Sequence, residues 1–383
     1  MDLTHTEERS ELAESVRAFV ARDWPTATVR ELQASETGFD PARWKRIAGL
    51  GWTAMPVPEE HGGLGGGFLD LAVVAEELGR GAVSSPLAAT VTHGVLPLLW
   101  AGESSVRESR LVGLVGGETI ACPADVEADG RSIWPAEPAP ADGHGWTLDG
   151  TKVLVPFAEV ADLLMVTARL EGRGEAIVAL PRTLDGVTTS RMRLPVGDPV
   201  YRVDLSGVRI TPDDLLATGP SATDLKARTD GVSALVSCAY TVGLCESALR
   251  LAVEHARSRE QFGRPIGAFQ SVANRCADMR VETDAFRWLT CEAAWLLDRA
   301  DGPDRAHSAD RIGRDAGLAI ATAKAYGDLA VRTVVRDSHQ VLAGMGISTE
   351  HDLYLFTRRA RTFEQSGGSL VSHLNRVADL IGL

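Results

Sequence analysis

Three groups of residues along this 383-residue chain carry side chains able to do chemistry. The densest runs Arg257-Ser-Arg-Glu-Gln-Phe-Gly-Arg-Pro-Ile-Gly-Ala-Phe-Gln270. Within it Arg259 offers a planar, permanently charged fork that can grip an anion through two parallel hydrogen bonds. Standing alone, the same arginine reads equally well as a cation at a helix C-terminus. The second group is acidic: Glu364, just ahead of Ser366-Gly367-Gly368, and Asp230, one helical turn from Ser233. A carboxylate in a water-poor pocket can take protons near neutral pH, whereas one on a solvated helix end cannot. The third group is His255, His339, His351 and His373. Each is a possible acid or base, but no spacing places one beside a reacting group, and they read as structural.

The elements that must position these residues follow from periodicity. Apolar residues at helical spacing run from Val232 to Val253 and again from Val272 to Leu297. The Arg257–Gln270 stretch is therefore a helix end, a Gly-Pro break and a new helix start. Near the N-terminus, residues 4–22 form an amphipathic pattern with Leu12, Val16, Phe19 and Val20 on one face. A short helix over 41–50 stops at Gly51, and Pro56 and Pro58 forbid another until the following glycines have passed. Helical patterns over 68–78 and 86–99 complete a helical first domain, 1–117. From about Glu118 the chain changes to short β-rich runs at 147–155, 162–167, 176–180 and 201–210, punctuated by Gly, Pro and Asp-Gly. The Pro-, Ala-, Asp- and Gly-rich stretch 124–145 reads as a mobile loop. A β domain over 118–221 is thus followed by a helical domain, 222–383, with Gly-rich corners at Ala343–Gly346 and Gly367–Gly368. The last segment, 370–381, is amphipathic.

Composition narrows the classes. A formal net charge of −13 argues against a nucleic-acid backbone as partner. The first residues show no leader pattern, and no apolar run approaches the ~20 residues of a membrane span, so the expected location is the cytoplasm. Five cysteines lack C-x-x-C spacing, and four fall inside helical patterns. They read as buried free thiols, with no metal site.

The stretch around Arg259 resembles the "R-x-x-F-G-x-x-I-x-x-x-Q" signature of acyl-CoA dehydrogenases. Residues 44–65, from Trp44 through Leu50-Gly51-Trp52 to Pro58-Glu-Glu-His-Gly-Gly-Leu-Gly65, are similar to a second element of that family. The resemblance implies a mainly α fold with a central β-barrel: an N-terminal helical domain, a small β-barrel and a C-terminal four-helix bundle. It implies FAD as cofactor, an acyl-CoA or related thioester as substrate, and electron-transfer flavoprotein as acceptor. It also implies that Arg259 meets the pyrophosphate, that Phe262 lies against adenine or ribose, and that Gln270 and, more weakly, Gln261 bind the nucleotide. Gln340 and Gly344 match the family's "Q-x-x-G-G-x-G" corner, where the backbone must approach the cofactor closely.

The chemical half of the site departs from that pattern. Laid without a gap from the Gly344-Met-Gly346 corner, the family's catalytic Glu position falls on Gly367, three residues after Glu364. The alternative base position, on the helix before the signature, falls on Ser233. Glu364 and Asp230 are the displaced candidates. The barrel segments that touch flavin and substrate in the family read Ala121-Cys-Pro-Ala-Asp-Val-Glu-Ala128 and Leu154-Val-Pro-Phe157 here, and Pro156 offers neither hydroxyl nor N–H. Three readings result: an FAD-dependent α,β-dehydrogenase of an acyl thioester with a displaced base; a base-less companion subunit paired with an active paralogue in a mixed tetramer; or a flavin monooxygenase or tailoring enzyme on the same fold. A homo-oligomer or a hetero-oligomer with a paralogue is expected in each.

Overall fold

A computed structural model describes residues 6–101, 105–129, 140–141, 145–194, 198–301, 309–364 and 366–383. Most of the loop expected over 124–145 lies outside the described residues. The chain divides into two compact units: residues 1–31, 67–83 and 234–383 form the first, and 32–66 with 84–233 the second.

The first unit is helical. Glu7–Asp23 starts where the Thr6 hydroxyl accepts a hydrogen bond from Arg9 N, with Glu7 and Glu8 in its first turn. Phe68–Arg80 starts after Gly67, which has no side chain, and Asp70 in its first turn accepts from Gly67 N at 2.8 Å. Its first N–H groups are taken by the Asp298 carboxylate from the helix Gln270–Asp301. That helix runs antiparallel to Ala309–Leu342: Arg275 pairs with Asp337, Tyr326 donates to Glu282, and Gly327 packs against the Phe286 ring. Leu353–Phe363 and Leu370–Ile381 complete the bundle. A closer approach joins Phe68–Arg80 to the helix Pro220–Ser258. A Cβ on Gly79 would stand 1.9 Å from the Tyr240 carbonyl oxygen, and one on Gly243 equally near that of Glu76. Two glycines therefore let the backbones cross with nothing between them.

Pro220–Ser258 is long and apolar enough to cross a membrane by length and composition alone, yet 72% of its most apolar window is buried inside the protein. It is a core helix. The cysteines conform to expectation: Cys122, Cys238, Cys245 and Cys291 are buried free thiols and Cys276 is half-buried.

In the second unit the strands are β1 Ala121–Ala124, β2 Pro140–Ala141, β3 Gly145–Pro156, β4 Leu163–Leu170, β5 Gly174–Pro181, β6 Val187–Met192, β7 Val200–Ile210 and β8 Leu215–Thr218. The expected closed barrel does not form among the described residues. Instead there are two four-stranded sheets, ordered β1-β4-β5-β8 and β2-β3-β7-β6. The chain changes sheet after β1, β3, β5 and β7, and neither ladder runs round to meet its own first strand. The first sheet packs on a helical layer through one core that includes Val95, Leu98, Leu114, Leu163, Met165, Ile177 and Leu216. Within that layer Thr90–Val95 is a π-helical turn between Leu87–Ala89 and Leu96–Trp100, a wide turn that recurs at functional sites.

A charge network stiffens the first unit. Arg287 bonds Glu76 at 3.1 Å and Glu246 at 2.7 Å, Arg280 reaches Glu246 at 2.6 Å, and Arg80 closes on Glu76 at 2.7 Å. Burial alone would raise the Glu246 carboxyl, but the hydrogen bonds from Arg280 and Arg287, with the Arg80 charge, pull it down to about 2. A carboxyl depressed on folding adds stability above its ordinary value of 4.5 and loses it as the pH falls toward 2. Across that window the wild type should lose on the order of 2–3 kcal/mol from this residue. Urea midpoints measured against pH should show a flatter acid limb for Glu246→Gln; an unchanged limb would remove the network from the stability of the bundle.

Candidate active site

The helix Pro220–Ser258 ends in a cation-rich turn, and the backbone then makes a two-residue hairpin, Glu260–Gln261 against Arg264–Pro265. Its tip is Phe262-Gly263, both at positive φ, +54° and +77°. Left-handed backbone is unfavourable for a non-glycine residue. The Phe262 ring is nevertheless 91% exposed, touching Phe269 edge-on at 6.0 Å between centroids. The Arg264 guanidinium lies 4.2 Å over Phe269, holding the far side of the hairpin. Close packing fixes the return: a Cβ at Gly267 would stand 3.0 Å from the Ala256 carbonyl oxygen. Helix Gln270–Asp301 then begins at Gln270 itself.

The antiparallel pairing of the two long helices brings the second set of candidates to the same end. Arg275 stands five positions after Gln270, and its partner Asp337 stands three before Gln340. Arg259, Gln261, Phe262, Gln270, Gln340 and Gly344 therefore share one end of the bundle, and all six are exposed. His255, one turn before Arg259, is pushed below its ordinary pKa by burial and by the charges of Arg259 and His351. The corner after Gln340 is therefore within electrostatic reach of the hairpin. Ala343 turns at φ +49°, and a Cβ on Gly344 would meet nothing within 4 Å, so that backbone lies open. Among the described residues the Arg259 guanidinium makes no hydrogen bond or ion pair. Gln261 bonds only its neighbour, Nε2 donating to the Glu260 carbonyl at 2.7 Å. Exposed Ile347 and Met345 add apolar surface beside the corner.

Neither carboxylate candidate is among these six residues. Glu364 follows Leu353–Phe363 and is held by two guanidiniums, Arg332 at 2.9 Å and Arg361 at 2.7 Å. Arg332 is eight residues before Gln340, about 12 Å along the helix. Both Glu364 oxygens serve ion pairs. Gly367 follows in an open turn at φ +69°, with nothing within 4 Å of where its Cβ would be. Asp230 belongs to the second unit. It is half-exposed and bonded to Lys226 at 2.8 Å. In that unit β3 carries bulges between Leu148 and Gly150 and between Lys152 and Val155; Leu154 turns at φ +57°, and Pro156 stands opposite Val200. Bulges of this kind re-aim side chains beside functional sites. Of the four histidines, His339 pairs with the Thr357 hydroxyl, His351 accepts from Leu353 N, and burial with the charges of Lys324 and Arg376 pushes His373 down to about 4. Among the described residues no cluster could hold a metal.

Residues 6–118 match the acyl-CoA dehydrogenase N-terminal domain and residues 231–382 the acyl-CoA dehydrogenase C-terminal domain. The acyl-CoA dehydrogenase IpdE2 of Mycobacterium tuberculosis is 30% identical over 94% of this chain and 92% of its own length. The chain belongs to the acyl-CoA dehydrogenase family. Two solved structures share the fold from end to end. One chain of the ChsE4–ChsE5 complex from Mycobacterium tuberculosis superposes with TM-score 0.88 at 27% identity, covering 100% of this chain and 99% of that one. A glutaryl-coenzyme A dehydrogenase in complex with glutaryl-CoA gives TM-score 0.89 at 26% identity, over 100% and 97%. The family's cofactor is FAD.

The bundle end fits a dinucleotide in kind: an uncommitted guanidinium fork for a diphosphate, an exposed ring for a base, carboxamides for hydroxyls, and open glycine backbone for close approach. In the second unit His93, Lys226 and Thr229 line one small cavity with Asp125 and Asp230, and these three escaped sequence reading. Only Lys226 and Asp230, four apart on one helix, carried a local signal. Arg259→Lys keeps the charge and loses the fork, and should weaken FAD binding tenfold or more in a titration followed by flavin fluorescence. The apoprotein's melting temperature should not move, because the side chain has no partner to lose. Equal affinity would detach Arg259 from the cofactor.

Proposed function

We propose that this chain serves the FAD-dependent α,β-dehydrogenation of an acyl thioester. The observation that carries the reading is the bundle end itself, where an unpartnered Arg259, an exposed Phe262 and the open Gly344 corner stand together in a chain of this family. When bound, FAD would accept the hydride that leaves the acyl β-carbon. The chain's own residues would do the holding. Arg259 would neutralise the diphosphate, Phe262 would cover the adenine or ribose, and Gln261, Gln270 and Gln340 would orient the nucleotide. Acyl-CoA is the substrate class, and electron-transfer flavoprotein is the expected acceptor.

The proton is the harder part. An acyl α-proton needs a carboxylate of raised basicity close to it. Gly367 has no side chain, and Glu364 is committed to Arg332 and Arg361. Asp230 is the remaining candidate on this chain, facing Lys226. A second reading therefore has a specific observation in its favour. The chain would act as the base-less partner in a mixed assembly, lending Arg259 and Gln270 to a cofactor whose base is on a paralogous subunit. The structural relative named for a complex of two different chains, ChsE4–ChsE5, supports that kind of pairing. The strongly exposed Phe262 and Ile347 support a covered bundle end.

Anaerobic titration of the FAD-loaded protein with acyl-CoA thioesters separates the two. For a self-sufficient enzyme the isolated chain should bleach its flavin and release the matching enoyl-CoA, and Asp230→Asn should slow this at least a hundredfold. For the companion role the isolated chain should leave the flavin oxidised, and bleaching should appear only after co-expression with a paralogue. A protein that stays colourless under both conditions would defeat both.

A further inference from the structure

The second unit contains a small polar cavity whose wall includes Asp230. Its walls come from the π-helical turn Thr90–Val95 with Pro97 beyond it, the end of β1, the strands β4 and β5, and the first turns of Pro220–Ser258. It encloses about 30 Å³, enough for a hydroxyl and little more. Met165 and Ile177 form its apolar side. On the polar side Lys226 Nζ bonds Asp125 at 3.1 Å and Asp230 at 2.9 and 2.8 Å. Two carboxylates against one ammonium leave a net charge of −1, which disfavours an anionic occupant.

Thr167 also lines the cavity, its hydroxyl accepting from Lys152 Nζ at 3.2 Å, and two further groups remain. Thr229 is 5% exposed, and its hydroxyl has no hydrogen-bond partner. A buried hydroxyl without a partner is costly, so it marks a place where something is expected to bind. The other group is His93. Its Nδ1 lies 2.8 Å from the Thr92 hydroxyl, whose single proton is already given to the Ala88 carbonyl at 2.8 Å. With that proton on Ala88, the imidazole donates from Nδ1 and Nε2 is the acceptor. Burial lowers the His93 pKa and the Lys226 charge adds to this, while the Asp125 and Asp230 charges oppose it.

One donor, Thr229, and one acceptor, His93 Nε2, face a volume the size of one oxygen and its carbon. An alcohol hydroxyl offers the complement, donating one hydrogen bond and accepting another. We propose that this cavity is a binding subsite for a hydroxyl group, carried by a small alcohol or by a hydroxylated segment of a larger ligand. The cavity shares Asp230 with the thioester reading, but its two bonding groups, Thr229 and His93, take no part in that reading, so the two can fail separately.

Three matched probes test it in saturation-transfer NMR on the full-length protein: propan-2-ol, which donates and accepts; acetone, which only accepts; and isopropylammonium, which only donates. Propan-2-ol should bind measurably tighter than the other two. Thr229→Val, equal in shape but lacking the hydroxyl, should weaken propan-2-ol about fivefold, the worth of one neutral hydrogen bond. His93→Leu should do the same if Thr229→Val folds poorly. Preference for isopropylammonium or acetone, binding unaffected by either variant, or no binding by any probe would each overturn the proposal and leave a water-filled packing void.

Discussion

One constraint governs the first unit: an aromatic residue held in left-handed backbone with its ring turned out to solvent. Phe262 at φ +54° is unfavourable on conformational grounds, and its exposed ring gains nothing from the hydrophobic effect. Such a conformation persists only where its surroundings force it. Here Pro265 fixes the return strand, the Ile266 N–H bonds the Arg259 carbonyl at 2.8 Å, and Arg264 is laid over Phe269. The hairpin's order comes from its base, so its tip is free to present Arg259 and Phe262 outward.

The rest of the bundle gives that tip a rigid mount. The Gly79–Gly243 crossing removes the spacer between two helices, and the Arg287–Glu76–Glu246–Arg80 network ties the same pair to Gln270–Asp301. Charges this close share their counterions, so no member is left buried and unpaired. Further along, buried Lys324 bonds Asp328 at 3.0 Å and the Phe363 carbonyl at 2.8 Å, which fixes the turn that follows with Glu364 and Gly367. Glu364, in that turn, is held between the guanidiniums of Arg332 and Arg361.

The sequence was a good guide where signals are local. The long helices announced themselves by periodicity, and the helix over 370–381 appears as Leu370–Ile381. The candidate cofactor residues fell within a dozen positions of one another and at one glycine corner, which made them visible without coordinates. Signals that depend on distant pairing were lost. β6, Val-Thr-Thr-Ser-Arg-Met, lacks a strong apolar alternation because it is an edge strand, and β8 is only four residues long. Whether strands close into a barrel depends on which strand each meets, and no single run carries that information. The His93, Asp125 and Thr229 cavity belongs to the same class, because Thr229 lies more than a hundred residues beyond the other two.

The central claim is that the Arg259–Phe262 end of the bundle holds FAD beneath a second chain. Native mass spectrometry of the FAD-loaded protein, alone and co-expressed with a paralogous subunit, tests it directly. Flavin should be found only in species of two or more chains, with the single chain free of it. A monomer carrying stoichiometric FAD, or an assembly that forms without any flavin, would contradict the account.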